Sequence, residues 1–553
     1  MAATTLPQEI ILIICGELGS RHEFTTLYKC SQVSRRVASI AVEQLYSNVY
    51  AVYDTFIKEK LQGVQIWRSI VLSSKGVTQF PYCAYIRSLE LGSLTYVLDD
   101  IKYDQKLRNV FFKGAMQEFQ VKNADSATSR RIVPLFDPKR TTVKCADSIT
   151  KFIKELADSR GAAVALSHLE SPEIPREILH SWVERLSTLT ALQLQDGWVL
   201  NGVEVAAAIA QCCPSFAELV CYKWFEHGTT ADVVAEFFLA LRPNSLRKFE
   251  ILSRNCLDSV SLASFEFHAE SLRVLSLRNL STPAIKSLGV LSRCTALETL
   301  LIERDPQDRS EAYDLNEAEL SSVISWITNC QGLREFSLKY VRDALPIVRA
   351  VLEDPSIQLE QLSIQNYFSV TEDVTKATWK ALGQQRELKS LTIAAQDGLP
   401  DGLILSQNPE LTKSICQLSK LTSLNLMQAY ASSAEIRQFA KALPLLEDIC
   451  FGGEVVDDSL LQHLSKLPHL NSLSIFAITA FTYATIRDFA YSLDTEYSSG
   501  IRLDLLNQWH SAKLTDDELS FLEAYFEKFN GRFSITYSDD PDDLHEDDFS
   551  DSD

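Results

Sequence analysis

The chain has 553 residues, which is too long for one hydrophobic core, so the length predicts either several domains or an extended repeat array. Apolar residues make up 46% and charged residues 23%, close to the globular average, which predicts that most of the chain folds. The formal net charge of −20 argues against a general binder of nucleic acid or anionic membranes, because phosphate contacts require a basic surface.

The N-terminus and the cysteines favour a soluble intracellular protein. The apolar run from Ile10 to Cys15 is short, lies between Glu9 and Glu17, and has no basic region before it, so it does not resemble a signal peptide. No uncharged stretch approaches the roughly 18 residues that a membrane span needs. The twelve cysteines contain no Cys-x-x-Cys pair, which excludes the common zinc and redox patterns. We therefore expect no cofactor, no membrane contact, and a location in the cytoplasm, the nucleus or both.

Residues 6 to 46 predict two or three short helices. Pro7 suits a first helical turn, and Ile10, Ile14 and Leu18 follow at four-residue spacing on one helix face. After a polar break, Leu27, Cys30 and Val33 follow at three-residue spacing. The segment is too small to have a stable core of its own.

This segment resembles an F-box, through which substrate receptors of cullin-type ubiquitin ligases dock on a Skp-family protein. The similarity lies in Leu6-Pro7-x-Glu9-Ile10 and Leu27-x-x-Cys30-x-x-Val33-Ser34-Arg35-Arg36. It implies a Skp-family adaptor and a cullin ligase as partners, with docking contacts from Leu6, Pro7, Ile10, Ile14, Leu18, Leu27, Cys30 and Val33. Val37 stands where the family usually has Trp, and the gap from Leu18 to Leu27 is longer than usual. The alternative is a helical cap on a repeat array, because terminal repeats need a polar outer face.

A helical pattern over residues 51–85 is interpreted as a linker. The run Ile86-x-x-Leu89-x-Leu91 has a strand signature, and the pattern is then lost between residues 102 and 144, which carry ten basic and four acidic residues. We interpret residues 86–147 as a first repeat with an irregular basic loop insertion. Arg130-Arg131 and Lys139-Arg140 fit either a nuclear import signal or a solvated loop.

Residues 148–537 repeat one strand signature, in which the first, fourth and sixth positions are apolar. Eleven copies start 24 to 36 residues apart, beginning at Leu189, Phe216, Leu246, Leu272, Leu297, Leu333, Leu359, Leu388, Leu421, Leu446 and Leu470. A helical stretch follows each strand, and capping boxes begin at Asn316, Ser432 and Thr515. This period predicts an α/β leucine-rich-repeat solenoid, with parallel strands on a concave face and helices outside. The small all-α F-box-like domain of residues 1–50 precedes it.

The repeat surface contains the candidate partner-binding residues. Positions three, five and seven of each strand should point to the concave face, and position five is small and mostly neutral. Aromatic residues follow the strands, and large aromatics with a polar group are favoured as interface anchors, although they also fill strand-to-helix loops. The candidates are Trp198, Trp224, Arg278, Lys339, Tyr367, Phe368, Tyr430 and Phe476. Insertions at residues 304–315 and 394–410 should project from the same rim, either as binding loops or as neutral ones.

The motif search indicates no enzyme. The chain has no Gly-x-Ser-x-Gly elbow, no phosphate-binding loop, no dinucleotide fingerprint and no His-Glu-x-x-His helix. Residues 538–553 hold nine acidic and no basic residues and are predicted to form a disordered tail. The resemblance implies a substrate-recognition adaptor that binds an unknown protein on the repeats. The alternatives are an interaction scaffold without a ubiquitin role and an enzyme of unrecognised type.

Overall fold

The computed structural model describes residues 6–47, 60–122, 136–225, 229–308, 315–367, 371–395, 403–479, 481–493, 500–507 and 513–537. The chain divides into two compact units, Met1–Leu272 and Arg273–Asp553. Acidic residues 538–553, the inserted residues 309–314 and 396–402, Phe368 and the Arg130-Arg131 pair lie outside the described residues.

The first unit begins with a module of three helices, followed by two helices in the predicted linker. These helices are α1 (Gln8–Ser20), α2 (Phe24–Ser31), α3 (Arg35–Ser47), α4 (Lys60–Ser73) and α5 (Tyr82–Tyr85). Although its length predicted no core of its own, the module has a small one, formed by Ile11, Cys15, Phe24, Leu27, Ile40 and Ala41. Three helices thus share one apolar centre, as the short length of each requires.

Five parallel strands follow in the first unit and lie side by side in chain order. They are β1 (Ser88–Glu90), β2 (His168–Ser171), β3 (Ala191–Asp196), β4 (Glu218–Lys223) and β5 (Lys248–Ile251). Their helices are α6 (Leu91–Ile101), α7 (Gln105–Phe111), α8 (Pro138–Arg160), α9 (Arg176–Arg185), α10 (Val203–Cys212), α11 (Ala231–Ala240) and α12 (Ser259–Ala263). Shorter 3-10 helices span Gly114–Phe119, Gly197–Leu200 and Ser264–His268.

The interpretation of residues 102–144 as an irregular loop is wrong for most of the described part of that segment, which is helical over 105–111, 114–119 and 138–144. Helix α7 starts behind Asp104, whose carboxylate accepts hydrogen bonds from two backbone amides, and the Asp137 carboxylate caps α8 by accepting one from the Arg140 amide. The apolar face of α8 is interrupted by threonines, but Thr141 and Thr142 are fully buried with Cys145 and Ile149. Buried threonines of this kind hid the helical period from a pattern based on apolar residues.

The second unit contains the remaining parallel strands, adjacent in order from β6 to β10 and from β12 to β16, with β10 beside β12. The strands are β6 (Val274–Leu280), β7 (Thr299–Arg304), β8 (Glu335–Lys339), β9 (Gln361–Tyr367), β10 (Ser390–Ala395), β11 (Leu403–Ile404), β12 (Ser423–Tyr430), β13 (Asp448–Val456), β14 (Ser472–Thr479), β15 (Arg502–Asn507) and β16 (Arg532–Tyr537). Their helices are α13 (Thr282–Lys286), α14 (Glu317–Thr328), α15 (Ala344–Glu353), α16 (Glu372–Leu382), α17 (Pro409–Ile415), α18 (Ser433–Ala442), α19 (Ser459–Leu464), α20 (Tyr483–Ser492) and α21 (Asp516–Lys528). Short 3-10 helices span Leu288–Leu291 and Leu405–Gln407.

The strand signature behaves as predicted, and the architecture is an α/β leucine-rich-repeat solenoid. In β7, Leu300 and Ile302 at positions four and six are buried, whereas Thr299 and Leu301 are half-exposed on the other face. The same positions pair across strands, for example Leu300 with Phe336 and Ile302 with Leu338. Each repeat therefore adds apolar side chains to a continuous column, and each fully buried one contributes about 1.5–3 kcal/mol.

All three predicted capping boxes are confirmed, at Asn316, Ser432 and Thr515.

The strand ends hold a feature that the sequence did not indicate. Position eight adopts a left-handed backbone in three repeats of the second unit, at Asn279, Tyr340 and Asn366, with φ between 51° and 58°. Asn tolerates this conformation, whereas Tyr does so at some cost in free energy.

Candidate docking surfaces

The N-terminal module presents apolar residues on two different sides of α1. Ile11 and Cys15 face the module core, and Leu18 packs partly against it. Ile10 and Ile14 instead remain 41% and 43% exposed. A helix that is apolar all round is normally buried on all sides. One side of α1 is satisfied by the module, and the other lacks a covering element among the described residues.

Apolar residues of the module outside α1 are also exposed. Leu6 and Pro7 before α1 are exposed, and Val33 after α2 is 72% exposed. Pro7 also holds the first turn, because its carbonyl accepts a hydrogen bond from the amide of Ile11 at 3.3 Å. Several adjacent apolar side chains left in solvent indicate an interaction site more often than scattered ones do.

The other three predicted docking residues are less accessible. Leu27 is fully buried in the module core, and Leu18 and Cys30 pack partly against it. Leu27 therefore supports the module rather than presenting a side chain to a partner. Val37, at the position where the F-box family usually has Trp, also packs partly against this core.

Sequence reasoning overlooked Ile13, which is 67% exposed beside Ile10 and Ile14. The signal was present in the unbroken apolar run from Ile10 to Cys15, which is longer than one helix face can bury.

Tyr46 attaches the module to the helices that follow it. The Tyr46 and Ser69 hydroxyls lie 2.8 Å apart in a hydrogen bond, and the rings of Tyr46 and Tyr82 lie 4.5 Å apart. Burial raises the pKa of Tyr46 to about 12, so the phenol stays protonated at neutral pH. The module is thus anchored through the end of α3, whereas its exposed apolar residues Ile10 and Ile14 lie in α1.

The outward face of the strands is a second candidate surface. Position five holds small or neutral side chains over much of the second unit, and these are half-exposed between neighbouring strands: Leu301, Ser337, Ser363, Thr392, Asn425, Cys450 and Ser474. Small side chains allow the backbone of a partner to approach closely. In the first unit the same face has a cavity of about 160 Å³ beside His168, Glu170 and Lys248. Burial raises the pKa of the Glu170 carboxyl there.

Two of the eight predicted partner-binding residues lie in the core. Trp224 is 0% exposed, contacts the rings of Phe237 and Phe238, and donates from Nε1 to Asn201 at 3.0 Å. Tyr367 is 4% exposed beside Trp379. Neither ring is available to a partner, because each fills the space where a strand turns towards its helix.

The other described candidates retain some exposure. Tyr430 is 50% exposed, while Trp198, Arg278, Lys339 and Phe476 are half-buried. Lys339 is already paired, with Nζ 3.4 Å from a Glu303 oxygen and 5.4 Å from the centre of the Tyr340 ring.

These residues do not form one cluster. Trp198 belongs to the first unit, and the remaining four lie in different strands of the second, β6, β8, β12 and β14. The strand face also holds two exposed residues that the sequence reasoning did not select, Tyr222 and Met427. Both occupy position seven of their repeats, one of the positions that the strand signature predicts to point away from the core.

The described residues contain no cluster of three or more His, Cys, Asp or Glu side chains arranged to hold a metal ion. They also contain no helix that is both long and apolar enough to cross a membrane. The twelve cysteines are all free thiols, and burial raises the pKa of several, including Cys145 and Cys221.

No family model and no curated protein matches the chain. Solved structures similar to it include an internalin of Listeria monocytogenes, with a TM-score of 0.34 and 15% identity over 71% of this chain and 96% of that one. The yeast Rad7–Elc1 complex has a TM-score of 0.37 and 13% identity, over 67% of this chain and 91% of that one. The TLR13–ssRNA13 complex has a TM-score of 0.31 and 11% identity, over 70% of this chain and 58% of that one. At these values the similarities carry no inference about partners or activity.

Proposed function

We propose that the chain is an adaptor that docks on a Skp-family protein through its N-terminal module and holds a protein substrate on its repeats. A ubiquitin ligase of the Skp-cullin-F-box type would then modify that substrate. The chain performs no catalytic step in this proposal, because it acts by raising the local concentration of the substrate near a separate transfer enzyme.

One observation carries the proposal. The residues that the F-box resemblance assigns to docking divide into a buried member, Leu27, and exposed members such as Ile10, Ile14 and Val33. A module that only capped the repeats would be expected to turn its polar side outward. This module keeps a closed core and still leaves an apolar side of α1 in solvent.

Binding to a purified Skp-family protein tests the docking step, measured by calorimetry with the full chain. The variant Ile10→Asp/Ile14→Asp places two charges in the contact. Each isoleucine contributes about 1.5–3 kcal/mol when buried, so the affinity should fall about a hundred-fold or more.

Leu12→Asp is the matched control. Leu12 is 44% exposed on the same helix but lies two residues from both Ile10 and Ile14, and about 100° per residue places it on the opposite side. This variant should bind normally. Both variants should keep their melting temperature, because neither changes the module core. Normal binding by Ile10→Asp/Ile14→Asp would refute docking through α1.

A second function, a protein-interaction scaffold with the module as a cap, is favoured by the contacts of Tyr46. The hydrogen bond to Ser69 and the ring contact with Tyr82 bury the end of α3 against α4 and α5. A scaffold predicts no Skp binding, together with a lower melting temperature of the repeats when residues 6–47 are deleted. The calorimetric titration separates the two functions.

A further inference from the structure

The outer helices of the second unit carry an aromatic surface that is independent of the docking module and of the strand face. Tyr491 on α20 is 54% exposed and Phe521 on α21 is 41% exposed. Among the described helical residues of this unit, Tyr491 and Phe521 are the large apolar side chains that are exposed to solvent. Exposed aromatics on adjacent helices require an explanation, because the solvent-facing side of a surface helix normally carries polar residues.

The rings form one connected row. Tyr483 and Tyr491 are eight residues apart on α20, and Phe521 and Tyr525 are four apart on α21, so each pair lies on one side of its helix. Across the two helices, ring centres are 6.2 Å apart for Tyr483 and Phe521 and 5.2 Å apart for Tyr491 and Tyr525. Within α21, Phe521 and Tyr525 stack at 6.3 Å. The row is therefore held in place before any partner arrives.

Arg487 further fixes the row from within. Its guanidinium lies 5.7 Å from the ring of Tyr483 and 6.0 Å from that of Tyr491, and it bonds Asp488 at 2.9 Å. The interior faces of α20 and α21 are occupied separately, by Ile486, Phe489 and Phe526 in the core. The aromatic row is thus additional to the packing that the fold requires. Tyr, Arg and large apolar side chains in a fixed array are typical of interface anchors.

The charges beside the row select the kind of partner. Helix α21 carries five acidic residues and one lysine. Asp517 and Glu518 precede Phe521 by four and three residues, which places them next to its ring on the helix surface. A cationic side chain on the ring of Phe521 would meet both the ring face and a carboxylate.

These charges also exclude other occupants. A second copy of the chain would bring the same carboxylates against themselves, and nucleic acid or an anionic membrane would meet a chain of net charge −20. We propose that the α20–α21 face docks a basic segment of another protein, in which an arginine or lysine stacks on Phe521 beside Asp517.

A synthetic peptide of alternating arginine and serine, labelled with fluorescein, is the probe. Its binding to the full chain is followed by fluorescence anisotropy at low ionic strength. The same peptide with citrulline in place of arginine keeps the side-chain shape and removes the charge. Wild-type protein should bind the arginine peptide at least about five-fold more tightly than the citrulline peptide.

Two pairs of variants locate the site. Tyr491→Ala/Phe521→Ala and Asp517→Asn should each weaken binding about five-fold or more. Their controls are Tyr96→Ala, an exposed tyrosine on helix α6 of the first unit, and Asp373→Asn, an exposed aspartate in the first turn of α16. The controls should bind as wild type does. All five substituted positions are exposed, so unchanged melting temperatures establish that the variants are folded.

The proposal is overturned if wild-type protein does not bind the arginine peptide or binds the citrulline peptide equally. It is also overturned if the control variants lose as much affinity as the α20–α21 variants, because general attraction to an acidic chain would then explain the binding.

Discussion

Substituting Gly197 by alanine tests whether Trp224 is a core residue rather than a partner-binding one. A Cβ added at Gly197 would lie 2.3, 2.5 and 2.8 Å from three ring atoms of Trp224. Ordinary carbon contacts are about 3.5–4.0 Å, so either the ring or the backbone must move by roughly 1 Å. The ring cannot move freely, because Phe237, Phe238 and the hydrogen bond to Asn201 hold it.

We expect Gly197→Ala to lower the free energy of unfolding by about 1–3 kcal/mol, as overpacking of a filled core does. Urea unfolding followed by circular dichroism measures the change, and hydrogen exchange locates it in β3 and β4. Gly332→Ala is the control, because its Cβ would come no closer than 3.6 Å to the Leu297 carbonyl oxygen.

A double-mutant cycle with Trp224→Leu sharpens the test. The smaller side chain gives the new methyl group room, so the cost of Gly197→Ala should be lower in the Trp224→Leu background. A Gly197→Ala protein within about 0.5 kcal/mol of wild type, a change typical of surface positions, would show that the packing around Trp224 is not as described.

Three further changes have expected outcomes. Tyr46→Phe removes the hydroxyl that bonds Ser69 and should cost about 1 kcal/mol in thermal unfolding without weakening Skp binding, because Ser69 keeps its bond to the Ile66 carbonyl; a loss of binding would contradict this separation. Ser432→Ala removes the confirmed N-terminal cap of α18 and should cost about 0.5–2 kcal/mol in urea unfolding, whereas Ser465→Ala, which removes only an exposed hydrogen bond to the Gln462 carbonyl at the C-terminal end of α19, should cost less. Burial lowers the pKa of His268, whose ring accepts from the Leu246 amide at 3.5 Å and donates to the Phe238 carbonyl at 3.1 Å. Neutral His268 therefore contributes its full stability above the ordinary pKa of about 6.5, and this contribution is lost as the pH falls below that value. In His268→Gln the free energy of unfolding should consequently fall less steeply with decreasing pH; an unchanged slope would show that other groups dominate.

The strand signature could be predicted from the sequence because every repeat must meet the same local requirement. Position four of every repeat must be apolar to enter the common column, and Leu300, Phe336 and Leu362 pair in consecutive strands as their spacing predicts. The capping box at Asn316 was readable for the same reason, since its bonds join residues three apart. Signals of this kind need no knowledge of distant parts of the chain.

The candidate sites required more than local signals. Spacing placed Ile10, Ile14 and Leu18 together, but Leu18 turns towards the core that α2 and α3 supply. Trp224 and Tyr430 look alike as aromatics after a strand, yet one is fully buried and the other is 50% exposed. The row from Tyr483 to Tyr525 cannot be predicted from the sequence, because the residues that contact each other across its two helices are 34 and 38 positions apart.

The sequence alone determined the repeat, its strand register, the helix starts and the apolar character of the N-terminal module, because each depends on neighbours within a turn or a strand. The tertiary structure decided which apolar residues remain in solvent. Exposure of Ile10, burial of Leu27 and the pairing of Tyr491 with Tyr525 all depend on which other elements pack against a residue, and no local pattern encodes that choice.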